Sequence, residues 1–132
     1  MNQVSNKSVV RQFFDVYNTK DYAQLSKCMA PDYFDHNLPQ VRSLNDAIEI
    51  LKSTHSAFPD LQVVIDELIE ENDLIAFRGR FSGTHAGSFL AHAATGRRVV
   101  FSALEIFKIR EQKIVESWGY WPTDEILRQL IC

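Results

Sequence analysis

The residues of this chain that could move protons are four histidines and a scatter of carboxylates. Their spacing decides which could act together. Glu116, Trp118 and Tyr120 stand at alternate positions, so on a strand they share one face. A carboxylate among aromatics is pushed by burial toward the range of a usable general base. The plain alternative is a structural carboxylate bonded to an arginine or a backbone amide. Tyr120 carries a hydroxyl that can orient a ligand oxygen, and Trp118 supplies pocket wall. His36 follows Asp35. Neighbours on a strand point to opposite faces, so only one of the two enters a given pocket. His36 is the candidate proton-transfer group, the alternative being a ring that ties strand to loop.

His85 lies between Gly83 and Gly87, which permit a tight backbone path. That places it on a pocket rim in reach of a ligand, or else bonded to its own loop. Glu105 interrupts an otherwise apolar row of residues. It is an inward functional acid or the partner of a lysine or arginine. His55 sits on an apolar helix face and reads as a satisfied core-edge histidine.

Several chemistries are excluded by pattern. There is no HExxH or other compact ligand spacing, and a metal set drawn from Asp35, His36, His85 and Glu105 is disfavoured. No GxSxG elbow, Cys–His signature, phosphate loop or GxGxxG occurs, so no cofactor is expected. Cys28 and Cys132 form neither a CxxC motif nor a disulfide framework, and Cys28 is expected inside a helix. The net charge is -3 with no basic stripe, which argues against nucleic acid and anionic membrane as partners.

The elements that must position these groups follow from periodicity. The 132 residues suit one domain, 1–132. Val9, Val10, Phe13, Phe14 and Tyr17 make one helical stripe. A second, short helix is expected over 21–29, stopped by Pro31, then a strand over 33–37. Ser43 caps a third helix whose apolar face holds Leu44, Ala47, Ile48, Leu51, His55 and Phe58. From Leu61 the period becomes two. Strands are expected at 61–65, 74–81, 98–110 and 113–121, followed by a helix carrying Ile126, Leu127 and Leu130. Helices segregated from hairpin-connected strands mean α+β, with helices on one face of a curved antiparallel sheet. The strand 98–110 is apolar on both faces, with Val99, Phe101, Ala103, Phe107 and Ile109 on one and Val100, Leu104 and Ile106 on the other. The outer face needs a cover, and a homodimer through the sheet is the expected one. A polar N-terminus and the lack of a long apolar run make the cytoplasm the expected location.

An ordered set of short segments carries a family resemblance. These are Asp35-His36-Asn37, Phe58-Pro59-Asp60-Leu61, Glu71-Asn72-Asp73-Leu74-Ile75-Ala76, Gly83-Thr84-His85-Ala86-Gly87, Thr95-Gly96-Arg97 and Lys113-Ile114-Val115-Glu116-Ser117-Trp118. Together they resemble the SnoaL-like polyketide cyclases and the related predicted ester cyclases. The resemblance implies a nuclear-transport-factor-2-like cone, a curved sheet wrapped on helices with a pocket at its open end. It also implies that cyclases of the family place an acid/base Asp four residues after the strand Trp. Counting from Trp118, that position is Pro122, which cannot transfer a proton. Asp124, two residues on, reads as a first-turn helix acid.

The resulting expectation is a pocket for a small hydrophobic or carbonyl-bearing molecule. An enzyme of this kind would do cofactor-free cyclisation, isomerisation or hydrolysis, with Glu116 and His36 transferring protons and His85 and Tyr120 orienting an oxygen. A binding protein without catalysis, or a protein-interaction module, is the alternative that Pro122 leaves open.

Overall fold

The computed structural model describes residues 5–131. Cys132 lies outside them. Helix α1 (Asn6–Thr19) starts at Ser5, whose side chain accepts from the Ser8 amide. It ends at Lys20 in the left-handed region, whose N–H returns to the Val16 carbonyl. A 3₁₀ helix (Tyr22–Lys27) leads directly into β1 (Met29–Asp35). The helix expected over 21–29 therefore ends at Lys27, and Pro31 sits inside the strand, exposed. A sheet-edge position suits it, because its missing N–H breaks no ladder bond there. Cys28 falls in the joint between the two elements, not in a helix. It is fully buried, and burial pushes its thiol pKa up to about 11.

Helix α2 (Leu44–Ala57) is capped by Ser43, which accepts from the Asp46 amide. Asp46 in turn accepts from the Arg42 amide, closing a reciprocal cap. Strands β2 (Gln62–Glu71), β3 (Leu74–Thr84), β4 (Arg98–Arg110) and β5 (Lys113–Tyr120) follow, then α3 (Thr123–Ile131). The sheet order is β1-β5-β4-β3-β2, with β1 parallel to β5 and every other pair antiparallel.

The inner face of the sheet and the helices share one core. Phe14 stacks on Phe77 with ring centres 4.0 Å apart, and Phe81 stacks on Phe101 at 5.2 Å. Two bidentate or bridging side chains fix the helices to it. Asn18 pairs with both backbone groups of Val63, at 2.8 and 3.1 Å. His55 donates from Nε2 to the Tyr17 carbonyl and accepts at Nδ1 from the Tyr22 hydroxyl, both at 2.8 Å. His55 is thus the satisfied core-edge histidine expected, and it joins α2, α1 and the 3₁₀ helix. No helix among the described residues is long and apolar enough to cross a membrane.

One irregularity decides where chemistry sits. Ile109 pairs with Ile114, but Lys108 pairs with Glu116, so Val115 is an extra residue on β5. Without it, Glu116, Trp118 and Tyr120 would follow buried Ile114 onto the inner face. The bulge turns them outward and brings Ser117 and Gly119 inward.

Candidate functional site

The cavity of this fold measures about 70 Å³ and lies between the sheet, α1, the 3₁₀ helix and α2. Most of its wall is apolar: Phe13, Leu25, Met29, Leu38, Val41 and Leu51 are among its lining residues. Five lining residues carry polar side-chain atoms: Tyr17 from α1, Tyr33 and Asp35 from β1, Glu105 from β4, and Thr54 from α2, whose hydroxyl donates to the Ile50 carbonyl. Tyr33 and Asp35 are two apart on one strand and so share its inner face. Lysine, arginine and histidine are missing from the lining.

Glu105 is the acid that interrupts the inner row of β4. No lysine or arginine pairs with it among the described residues. Burial first, and then the negative charge of Asp35, drive its pKa from the ordinary 4.5 up to about 8 against a hydrogen bond from Trp121 that lowers it. Space for this side chain is made on the neighbouring strand. Gly119 pairs with Glu105, and a Cβ there would fall 2.6 Å from Glu105 Cγ. Trp121, just beyond β5, packs on Phe81 and Phe101 and closes the inner end of the sheet beside this carboxyl.

Asp35 is held differently. It accepts the Asn37 amide at 2.8 Å. Burial raises its pKa, while hydrogen bonds from the Asn37 and Leu38 backbone favour its charged form. The two carboxyls are thus unequal: Glu105 is kept protonated near neutrality, while at Asp35 the backbone hydrogen bonds oppose a smaller upward push from burial. Tyr33 donates to or accepts from Ser117 Oγ, and burial raises its pKa. Tyr17 is raised first by burial and then by Glu105. Its hydroxyl has no hydrogen-bond partner among the described residues.

The other sequence candidates lie elsewhere. His36 and Glu116 do come together, with Nε2 and Oε1 2.8 Å apart, but on the outer face. There the His36 ring stacks on Trp118 at 4.3 Å, and Lys108 approaches Glu116. Tyr120, beside them, is 76% exposed. His85 is fully buried rather than on a rim. Its Nδ1 accepts from the Thr95 amide at 3.2 Å, so it ties the two ends of the 85–97 segment, while Nε2 has no hydrogen-bond partner among the described residues. Pro122 and Asp124 border a shallow open depression at the start of α3, separate from the cavity. Among the described residues no cluster of three His, Cys, Asp or Glu side chains could hold a metal ion. Asp35 is the cavity residue that sequence reasoning passed over in favour of its neighbour. The available signal was its spacing of two from Tyr33, which faces the core.

Comparisons with known proteins agree with this architecture. The profile of a family described as SnoaL-like polyketide cyclase matches residues 7–130. No curated protein matches the chain. Among solved structures, TsrD from Streptomyces laurentii superimposes with a TM-score of 0.91 at 27% identity, covering 99% of this chain and 98% of its own. AclR from Streptomyces galilaeus, a proposed hydroxylase, gives 0.82 at 26% identity over 95% and 94%. IdmH from Streptomyces antibioticus, a proposed polyketide cyclase, gives 0.85 at 24% identity over 96% and 99%.

Proposed function

Because the chain belongs to the SnoaL-like polyketide cyclase family, we propose that it is a cofactor-free acid–base enzyme acting on a small carbonyl-bearing molecule, with Glu105 as the proton donor. The observation that carries this reading is a carboxyl in an apolar cavity whose pKa is pushed to about 8. Such a group holds its proton at neutral pH and can give it to the carbonyl oxygen while water takes the proton lost from the neighbouring carbon, then recover it as the enol returns to the ketone. Asp35 helps by keeping negative charge nearby, and the unpartnered Tyr17 hydroxyl is placed to donate to the same oxygen. In this reading Glu105 takes the role that Pro122 cannot perform.

Hydrogen exchange next to a carbonyl tests it without knowledge of the natural substrate. Small ketones such as cyclopentanone are incubated with the protein in D₂O, and epoxide opening is followed in parallel. Catalysis above buffer is expected for the wild type, lost by about 10²–10⁴ in Glu105→Gln, the usual worth of a general acid. It should also decline as pH rises through about 8, where Glu105 gives up its proton. An unchanged rate in Glu105→Gln overturns the assignment. Glu116→Gln tests the outer pair, and a loss there rather than at Glu105 would move the chemistry to His36 and Glu116.

A second reading is a ligand carrier without turnover, favoured by Pro122 at the family's acid position. It predicts binding that survives Glu105→Gln and no exchange or ring opening at all. In either case the assembly we propose is a homodimer through the outer face of the sheet. Leu104, Ile106 and Tyr120 lie exposed there on paired strands. Charges of both signs flank them, with Arg78, Arg80, Asp66 and Glu67 on one side and Lys108 and Glu116 on the other. That arrangement is self-complementary under a two-fold axis.

A further inference from the structure

Asp35 carries a charge that the protein does not balance. Its carboxyl lines the cavity, yet it takes part in no salt bridge among the described residues, and no lysine, arginine or histidine lines the same wall. His36, next in sequence, lowers its pKa only as the smallest of four causes and turns its ring to the outer face, where it pairs with Glu116. Two acids of the same sheet do have cationic partners. Asp66 receives Arg80 at 2.9 Å, and Glu116 receives both His36 and Lys108. A half-buried carboxylate without a counter-ion is costly, and here it faces empty space beside a second carboxyl and two phenol rings.

We infer that the cavity takes a ligand bearing a protonated amine, whose ammonium supplies the missing counter-charge to Asp35. The inference rests on the reading of this cavity as the functional site and narrows its ligand class to small amino-carbonyl or amino-alcohol compounds. An ammonium offers three donors. The Asn37 and Leu38 backbone amides take up part of the acceptor capacity of the Asp35 carboxylate and leave the rest to receive them. Phe13, Tyr17 and Tyr33 line the same cavity, and an aromatic ring attracts a cation that lies over its face. An anionic ligand meets the opposite situation, with two carboxyls and no cation. The size of the space sets a further limit. About 70 Å³ is well below the roughly 300–1,000 Å³ of pockets for drug-sized ligands, so a head group of a few heavy atoms is what it encloses. An ammonium at Asp35 would also favour ionisation of Glu105, so that the ligand would help release the proton it needs.

A reporter for the test is built into the chain. It has two methionines, Met1 and Met29, and Met29 lines the cavity. With ¹³C-methyl methionine, the Met29 signal (assigned through Met29→Leu) is followed while the full chain is titrated with three isosteric probes, isobutylamine, isobutanol and isobutyrate, at pH 7. The amine is expected to saturate the shift at a concentration about tenfold below that of the alcohol, the scale of one charge-assisted hydrogen bond. Isobutyrate is expected to bind more weakly than either. In Asp35→Asn the amine and the alcohol should bind alike. If the alcohol binds as well as the amine in the wild type, or Asp35→Asn keeps the preference, the amine inference is overturned while the cavity reading stands. If none of the three moves Met29, the cavity reading itself fails. The comparison of the three probes on the wild type decides the matter even if Asp35→Asn does not fold.

Discussion

A carboxyl that keeps its proton to about pH 8 in the fold, and only to about its ordinary 4.5 in the unfolded chain, makes stability depend on pH in a defined direction. Between those values the folded state binds more protons than the unfolded one, so stability falls as pH rises from about 4.5 to about 8. Chemical denaturation across this range should show that decline, and Glu105→Gln should flatten it. A variant as pH-sensitive as the wild type would mean the carboxyl is not held as described. Gly119 gives a second test at the same scale. A methyl there would displace Glu105 Cγ, so Gly119→Ala should shift the pH profile of exchange downward as the carboxyl moves toward water. A change in rate with no shift in the profile would point to a merely structural disturbance. Glu105 was legible in the sequence because a lone acid in an apolar row is a visible exception. Its lack of a cationic partner was not, since the positions of Lys and Arg side chains belong to other strands.

Elements are joined by a few polar side chains whose loss should be felt across the fold. His55 bridges α1, α2 and the 3₁₀ helix as a neutral ring, with Nε2 donating and Nδ1 accepting. Burial lowers its pKa below the ordinary 6.5. The unfolded chain therefore binds the extra proton more readily, and the stability His55 contributes is present above about pH 6.5 and lost as pH falls below it. A His55→Phe variant should be less stable at pH 7.5 but lose less on acidification, read by urea midpoints at pH 7.5 and 5.5. Asn18 joins α1 to β2 through two bonds, and Asn18→Ala leaves both Val63 backbone groups without their partner. A cost of about 1–3 kcal/mol is expected from that. The long helices, the hairpin strands and the cap at Ser43 were readable from periodicity and capping chemistry, whereas the second helix stops at Lys27 and β1 begins at Met29, earlier than the pattern suggested. The bulge at Val115 was not readable. It adds one residue without glycine or proline to mark it, and only the pairing with β4 reveals that the strand has changed faces.

At the scale of the molecule, the sheet has one face committed to the core and one left uncovered. Leu104 is 64% exposed in the middle of the long strand β4, with Tyr120 opposite it. Large exposed apolar side chains on adjacent strands are a liability in a monomer and an asset in a symmetric pair. Light scattering on the eluting protein should give twice the 15.2 kDa mass, and Leu104→Glu should reduce it to the single chain with the thermal transition still cooperative. A wild type that elutes as a monomer at micromolar concentration removes the homodimer and leaves the face to another partner. The outer His36–Glu116 pair, stacked on Trp118, borders this surface, so its burial in the pair is open to the same measurement.

The sequence by itself determined the class of fold, the order of elements and the two-sided apolar strand, because these follow from local periodicity and capping, which each segment carries within itself. What the tertiary structure alone decided is which carboxyls face the cavity. Asp35 rather than His36 turns inward on β1, and Glu116 turns outward because one extra residue inverts the second half of β5, while Glu105 faces in by the alternation of β4 itself. Side-chain direction on a strand reverses with every residue, so a single unit of register outweighs every other cue to the site. Register is set by partners distant in the chain, where no local pattern can record it.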